Sequence, residues 1–132
     1  MKSQGSYSIL VVDDDMVTRQ TFMKIFETEG YEVVLAENGL EAIQWIEKRP
    51  FSMVVLDVEM PNVNGFEVLK AIRKHYSSSC RPVIMISAYD SQDHILKAFD
   101  VGANDYVTKP IDIKLVLARI RAHITATQQH PL

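Results

Sequence analysis

Four stretches of this chain, three apolar runs and one short strand-like segment, end directly in a reactive side chain. Phe51-Ser52-Met53-Val54-Val55-Leu56 ends in Asp57, and Tyr7-Ser8-Ile9-Leu10-Val11-Val12 ends in three consecutive carboxylates, Asp13, Asp14 and Asp15. Pro82-Val83-Ile84-Met85-Ile86 ends in Ser87, and Asp105-Tyr106-Val107-Thr108 ends in Lys109, followed by Pro110. Carboxylates gathered in one place repel one another and need a cation, and all-oxygen ligation favours a hard ion such as Mg²⁺ over zinc. A lysine and a hydroxyl opposite them suit a phosphoryl group. An aspartate can itself be the nucleophile and form an aspartyl phosphate, so phosphoryl transfer to Asp57 is the most economical chemistry for this set. Taken alone, Asp57 reads equally as a helix cap and Lys109 as an ordinary salt-bridge partner. Their shared placement at strand ends favours chemistry.

The elements that must position these residues are legible in the hydrophobic pattern. A short continuous apolar run bounded by turn residues reads as a strand covered on both faces, as in parallel sheets. Pro61 and Gly65 stop the Asp57 strand and force a loop. Tyr31 to Ala36 supplies one more strand. Between the strands, apolar residues recur at helical spacing: Val17, Thr21, Phe22, Ile25 and Phe26 before the stop at Gly30, then Leu40, Ile43 and Ile46 as one stripe after a capping-box pattern of Asn38 and Glu41. Phe66, Leu69 and Ile72 mark a helix from about Gly65 to His75, and a fourth runs from Ser91 to Val101 and closes at Gly102. Ile113, Val116, Leu117, Ile120 and Ile124 mark the last and clearest one.

Five strands alternating with five helices predict an α/β fold: a flavodoxin-like (βα)5 doubly wound parallel sheet with right-handed crossovers. A strand order of 2-1-3-4-5 would bring the ends of strands 1, 3, 4 and 5 into one crevice, with the acidic cluster, Asp57, Ser87 and Lys109 around it.

Composition sets the remaining bounds. The 132 residues fit one domain, with a core from about 7 to 124 and a polar end, 125–132, that reads as a tail or the start of a linker. Hydrophobic residues make up 47% and charged residues 23%, which excludes a disordered or fibrous chain. A net charge of -3 gives no electrostatic reason for direct nucleic-acid binding. Cys80, the single cysteine, has no partner for an intramolecular disulfide or a zinc site, so a reducing cytoplasm is expected. No apolar stretch approaches the roughly 18 residues of a membrane span. His75, His94, His123 and His130 read as dispersed surface residues. Met53, Met60 and Met85 read as packing, and Trp45, off the stripe of its helix, as partly exposed packing.

The motifs Leu10-Val11-Val12-Asp13-Asp14-Asp15, Val55-Leu56-Asp57-Val58-Glu59-Met60-Pro61 with Gly65, Ile86-Ser87-Ala88, and Gly102-Ala103-Asn104-Asp105-Tyr106 through Lys109-Pro110 together resemble the receiver domain of two-component response regulators, a group that includes the chemotaxis response regulator. The strand order above is that of this family. The resemblance implies that Asp57 is the phosphoacceptor, that Asp13 and Asp14 bind Mg²⁺, with Mn²⁺ as an alternative ion, and that the backbone carbonyl of Glu59 is a further ligand. It implies that Ser87 contacts the phosphoryl oxygens, that Lys109 closes a salt bridge before a cis peptide bond to Pro110, and that Tyr106 turns in from the surface when Ser87 moves. The Glu59 side chain can reach over the site and add negative charge near the incoming phosphate.

The resemblance further implies a sensor histidine kinase or phosphotransfer protein as donor and a signalling switch in place of a turnover enzyme. It also raises a fused output domain beyond Leu132, and a phosphorylation-dependent homodimer built from Asp105 with Arg119, Asp100 with Arg121, and an apolar centre of Leu96 and Phe99. Ile95 and Leu115 depart from the pattern of such dimers. The competing readings are an aspartate-nucleophile phosphatase and a flavodoxin-like cofactor binder. The first lacks its Asp-x-Asp motif, and three aspartates follow the first strand where the second needs a phosphate-cradling loop.

Overall fold

The computed structural model describes residues 7–128. The strands are β1 (Ser8–Val12), β2 (Glu32–Ala36), β3 (Met53–Asp57), β4 (Val83–Ser87) and β5 (Asp105–Thr108). They alternate with α1 (Met16–Thr28), α2 (Gly39–Lys48), α3 (Gly65–His75), α4 (Gln92–Val101) and α5 (Ile113–Gln128). All pairings are parallel and the order is β2-β1-β3-β4-β5, as expected.

The apolar runs are continuous because alternate residues feed two cores. Leu10, Val12, Val54, Leu56, Val83 and Met85 pack with Ala42, Ile46, Phe66, Leu69, Ile72 and Ala98 of α2, α3 and α4. Ile9, Val11, Met53, Val55, Ile84 and Ile86 pack with Phe22 and Phe26 of α1 and Val116, Ile120 and Ile124 of α5. The chain leaves β1 toward β2 on one side and returns to β3 on the other, so a crevice opens at the carboxyl ends of β1 and β3.

Local details correct the sequence pattern in four places. Leu40 is 60% exposed and the buried face of α2 is Ala42 and Ile46, with Ile43 and Trp45 packed against its edge. Trp45 meets Phe51 edge to face. Val17 is exposed, and the stacked rings of Phe22 and Phe26 carry the buried face of α1. The last helix runs on to Gln128, so residues 125–128 are helix where a tail was expected, and the remainder of that tail, with His130, lies outside the described residues. Only half of the expected capping box forms at α2: Asn38 accepts from Glu41 N–H, while Glu41 accepts from Glu37 N–H. The reciprocal box caps α3, between Asn64 and Glu67.

Two residues tie the sheet ends. At the amino-terminal end, the Arg73 guanidinium donates to the carbonyls of Gly102 and Arg81 and to Asn104 Oδ1, each at 2.8 Å. At the crevice, Gly65 starts α3 against the strand that delivers Asp57. A Cβ there would lie 2.4 Å from the Asp57 carbonyl oxygen and 2.7 Å from Val58 Cα, both backbone atoms that cannot rotate away. Gly65→Ala is therefore expected to destabilise the fold by about 1–3 kcal/mol, the usual cost of overpacking a tight site. Urea unfolding checks this, and a midpoint unchanged from the parent chain would show that the loop yields freely.

Candidate functional site

Val12 and Leu56 are register partners in adjacent strands, so the residues that follow them, Asp13 and Asp57, emerge side by side. Both carboxylates are 2% exposed, while Asp14 stands at the surface. One oxygen from each of Asp13, Asp14 and Asp57 lies within 4.8 Å of the others. Asp15 is not part of this group. It is the N-cap of α1, its carboxylate accepting from the Thr18 N–H at 3.0 Å and the Thr18 hydroxyl at 2.6 Å, and those bonds hold it below the usual carboxylate range. The acidic turn is braced by two further contacts. Asp15 N–H donates to Asp13 Oδ1 at 2.9 Å, and Arg19 Nη1 donates to the Asp13 carbonyl at 2.8 Å.

Lys109 reaches the same crevice from the end of β5. Its backbone N–H donates to the Ser87 carbonyl at 2.8 Å, its peptide to Pro110 is cis, and its Nζ stands 3.4 Å from Asp57 Oδ1. That oxygen also accepts from Glu59 N–H at 3.3 Å. Both contacts are long, and one ammonium faces several carboxylates. Burial pushes the Asp57 carboxyl up to about 7, the Asp13 charge adds to this, and Lys109 only partly offsets it. Burial also raises Asp13. Burial alone would lower Lys109, but Asp57 and Asp13 outweigh it and hold the ammonium above its usual value. The donor set is all oxygen and short of positive charge, which fits a hard divalent cation held by Asp13, Asp14 and Asp57.

The other predicted site residues converge on the same place. The Glu59 carboxylate has swung over the site. Its Oε1 accepts from Ala88 N–H at 2.8 Å and its Oε2 accepts from the Ser87 hydroxyl. Ser87 is fully buried, and its Oγ in turn accepts from Tyr89 N–H at 2.9 Å. The Tyr106 ring, expected at the surface before any modification, is already inside, 8% exposed, with its hydroxyl donating to the Tyr89 carbonyl at 2.7 Å. Beside Glu59 lies an open groove of about 740 Å³ whose walls include Pro61, Phe66, Tyr89, His94 and Lys97.

The face made by α4, β5 and α5 carries ion pairs within the chain. Arg119 pairs with Asp105 at 2.8 Å, His123 Nε2 lies 3.1 Å from the other oxygen of Asp105, and Arg121 pairs with Glu29, the C-cap of α1, at 3.1 Å. Leu96, Phe99 and Leu115 are exposed there. Ile95 instead packs against the core.

Comparison with known proteins gives the family of the chain. The chain matches the family model for the response regulator receiver domain over residues 9–121. It therefore belongs to the receiver domains of response regulators, the modules of two-component signalling. It is 42% identical over 114 residues to the transcriptional regulatory protein YkoG of Bacillus subtilis, a match that covers 86% of this chain and 49% of that one. The chain thus spans about half the length of such curated relatives. Among solved structures, it resembles the receiver domain of the Francisella response regulator 1452, with a TM-score of 0.85 and 32% identity over 92% of this chain and 98% of that one. It also resembles a CheY-like receiver domain protein from Methanospirillum hungatei, with a TM-score of 0.88 and 28% identity over 93% and 97% of the two chains.

The crowded carboxylates give a pH signature. An unfolded aspartate titrates near 3.8 and folded Asp57 near 7, so the folded state holds a proton that the unfolded chain has already released in this interval. Its contribution to stability is full below about pH 4 and is lost as pH rises through about 7. In chelator-treated protein, Asp57→Asn should therefore stabilise the fold at pH 7.5 by about 2–3 kcal/mol more than at pH 5. Chemical unfolding of both proteins at the two pH values measures this, and an equal effect at both would show that the Asp57 charge is already compensated.

Proposed function

We propose that this receiver domain accepts a phosphoryl group on Asp57 from the phosphohistidine of a sensor histidine kinase or phosphotransfer protein. The observation that carries the reading is a buried carboxylate set between an acidic pair and an ammonium at the ends of adjacent parallel strands. In the transfer, an Asp57 carboxylate oxygen forms the new P–O bond and the P–N bond to imidazole breaks. The electron pair returns to the imidazole ring, which takes up a proton. Lys109 holds the acceptor carboxylate in place and pairs with the charge added to it, and Ser87 Oγ and Ala88 N–H offer donors to the phosphoryl oxygens. Mg²⁺, or Mn²⁺ in its place, would be held by Asp13, Asp14, Asp57 and the Glu59 backbone carbonyl, and supplies charge neutralisation for the phosphoryl oxygens.

On this reading the protein is a stoichiometric switch, phosphorylated and dephosphorylated at one residue, and not a turnover enzyme. Among the described residues no helix is long and apolar enough to cross a membrane, and the free Cys80 accords with a reducing cytoplasm. The α4–β5–α5 face, with Leu96, Phe99 and Leu115 exposed, is the proposed output surface, either for a second copy after phosphorylation or for an output domain beyond Leu132. The greater length of the curated relatives leaves room for such a domain.

Incubation with a small phosphodonor and Mg²⁺ should add one phosphoryl group to the intact mass. Labelling of Asp57→Asn to the same extent would place the acceptor elsewhere. Ion binding tests the acidic set separately. Asp14→Ala should weaken Mg²⁺ by roughly tenfold or more, as loss of a ligating carboxylate does, while Asp15→Ala should leave affinity nearly unchanged. Calorimetric titration decides between them, and equal losses would mean that Asp15 leaves its capping position to bind the ion.

A further inference from the structure

The Glu59 carboxylate sits on the two donors that a phosphoryl group on Asp57 would need. Its Oε1 takes the Ala88 N–H and its Oε2 takes the Ser87 hydroxyl. Asp57, 2% exposed, lies on the same side, two residues away along the chain. A planar carboxylate with two oxygens and one negative charge presents the same acceptors to these donors as two oxygens of a phosphoryl group do. From there an unbroken line of hydrogen bonds runs inward. The Ser87 hydroxyl donates to Glu59, Tyr89 N–H donates to Ser87 Oγ at 2.9 Å, and the Tyr106 hydroxyl donates to the Tyr89 carbonyl at 2.7 Å. Tyr106 is inside, 8% exposed.

We infer that Glu59 is a resident stand-in for the phosphoryl group: its carboxylate occupies the Ser87 and Ala88 donors, holds Tyr106 inward through Tyr89, and must swing aside before Asp57 can keep a transferred phosphoryl group. The inference rests on the reading of Asp57 as phosphoacceptor. Glu59 acts through Ser87 and is a positioning residue, with two effects of opposite sense. It slows acquisition of the phosphoryl group, because two donors are engaged and a negative charge stands in the path. It also narrows the difference between the unmodified and modified states at Tyr106, because the inner part of the switch is already set. The side chain is free to leave, since Glu59 is only half-buried and its neighbour on the solvent side is the open groove lined by Tyr89, His94 and Lys97. Lys97 gives the displaced carboxylate a cation to face.

Two substitutions separate occupancy from charge. Glu59→Ala removes the carboxylate and both bonds, whereas Glu59→Gln removes the charge but keeps one acceptor oxygen for Ser87 or Ala88. With the unphosphorylated chain, NMR contacts between the Tyr106 ring and buried methyl groups, assigned with Tyr106→Phe, report the inward ring. With phosphoramidate and Mg²⁺, intact mass reports the rate of labelling. In Glu59→Ala the Tyr106 contacts should weaken and labelling should speed up by about tenfold, the effect of freeing donors bonded to a charged group. Glu59→Gln should keep most of the Tyr106 contacts and label at an intermediate rate. Equal acceleration in both variants with Tyr106 unmoved would overturn the inference in favour of simple charge repulsion, and unchanged rates and contacts would overturn it outright. Release of Tyr106 in Glu59→Ala without labelling of Asp57 in any variant would uphold the hold of Glu59 on the switch and reject the phosphoacceptor reading instead.

Discussion

Everything at the crevice follows from like charges confined at the ends of two neighbouring strands. Parallel pairing of β1 with β3 leaves Asp13 and Asp57 no freedom to separate, because their strands are joined up to Val12 and Leu56. Burial removes the water that would otherwise screen them, so each carboxylate resists ionisation. A hydrophobic pair in the same place would make a more stable sheet. The site therefore stores an electrostatic deficit, relieved by any cation or by a change in the charge of Asp57. Lys109 at 3.4 Å relieves part of it and is not close enough to remove it.

The rest of the fold keeps that deficit in place. Gly65 lets α3 begin against the Asp57 carbonyl, Arg19 grips the Asp13 carbonyl, and the reciprocal cap of Asn64 and Glu67 ends the loop that carries Glu59. At the far end of the sheet, Arg73 joins α3 to the β4 and β5 entries through the carbonyls of Gly102 and Arg81 and Asn104 Oδ1. Both ends of the central strands are thereby anchored, and what freedom exists is in side chains: Glu59, Ser87 and Tyr106.

Much of this was legible in the sequence for a physical reason. Buried parallel strands need apolar residues at consecutive positions, so Asp57, Asp13 and Lys109 stand out as the points where those runs stop, and all five strands and helices follow from the same pattern. What the pattern missed depends on contacts across the fold. Helical periodicity counts Leu40 and Val17 as core, but both stand in the first turn of their helices and are left in water. Arg73 is invisible because its carbonyl partners come from loops distant in the chain. The place of Glu59 as a possible reach over the site could be read two residues from Asp57, whereas its bonds to Ser87 and Ala88 require the register of β3 against β4. The pairing of Arg121 with Glu29, at the end of α1, could not be read from the pattern, since the two residues lie 92 positions apart.

The charges of the α4–β5–α5 face, the proposed output surface, bear on how a change at Ser87 would travel. Arg119 Nη1 donates both to Asp105 Oδ1 at 2.8 Å and to the Tyr106 carbonyl at 3.3 Å, and His123 closes on the other Asp105 oxygen. The backbone on both sides of Tyr106 is thus clasped by α5, while Met85 and Tyr106 remain register partners in the sheet. Strand β5 cannot shift without breaking a carboxylate bonded to two cationic or polar groups and a ladder buried on both faces. The Tyr106 hydroxyl, by contrast, donates to a carbonyl on the exposed β4–α4 loop and meets the Ser87 side chain. A signal that leaves by this route is carried by rotation of the ring and rearrangement of that loop beside α4, with β5 and α5 as the rigid frame against which the movement registers.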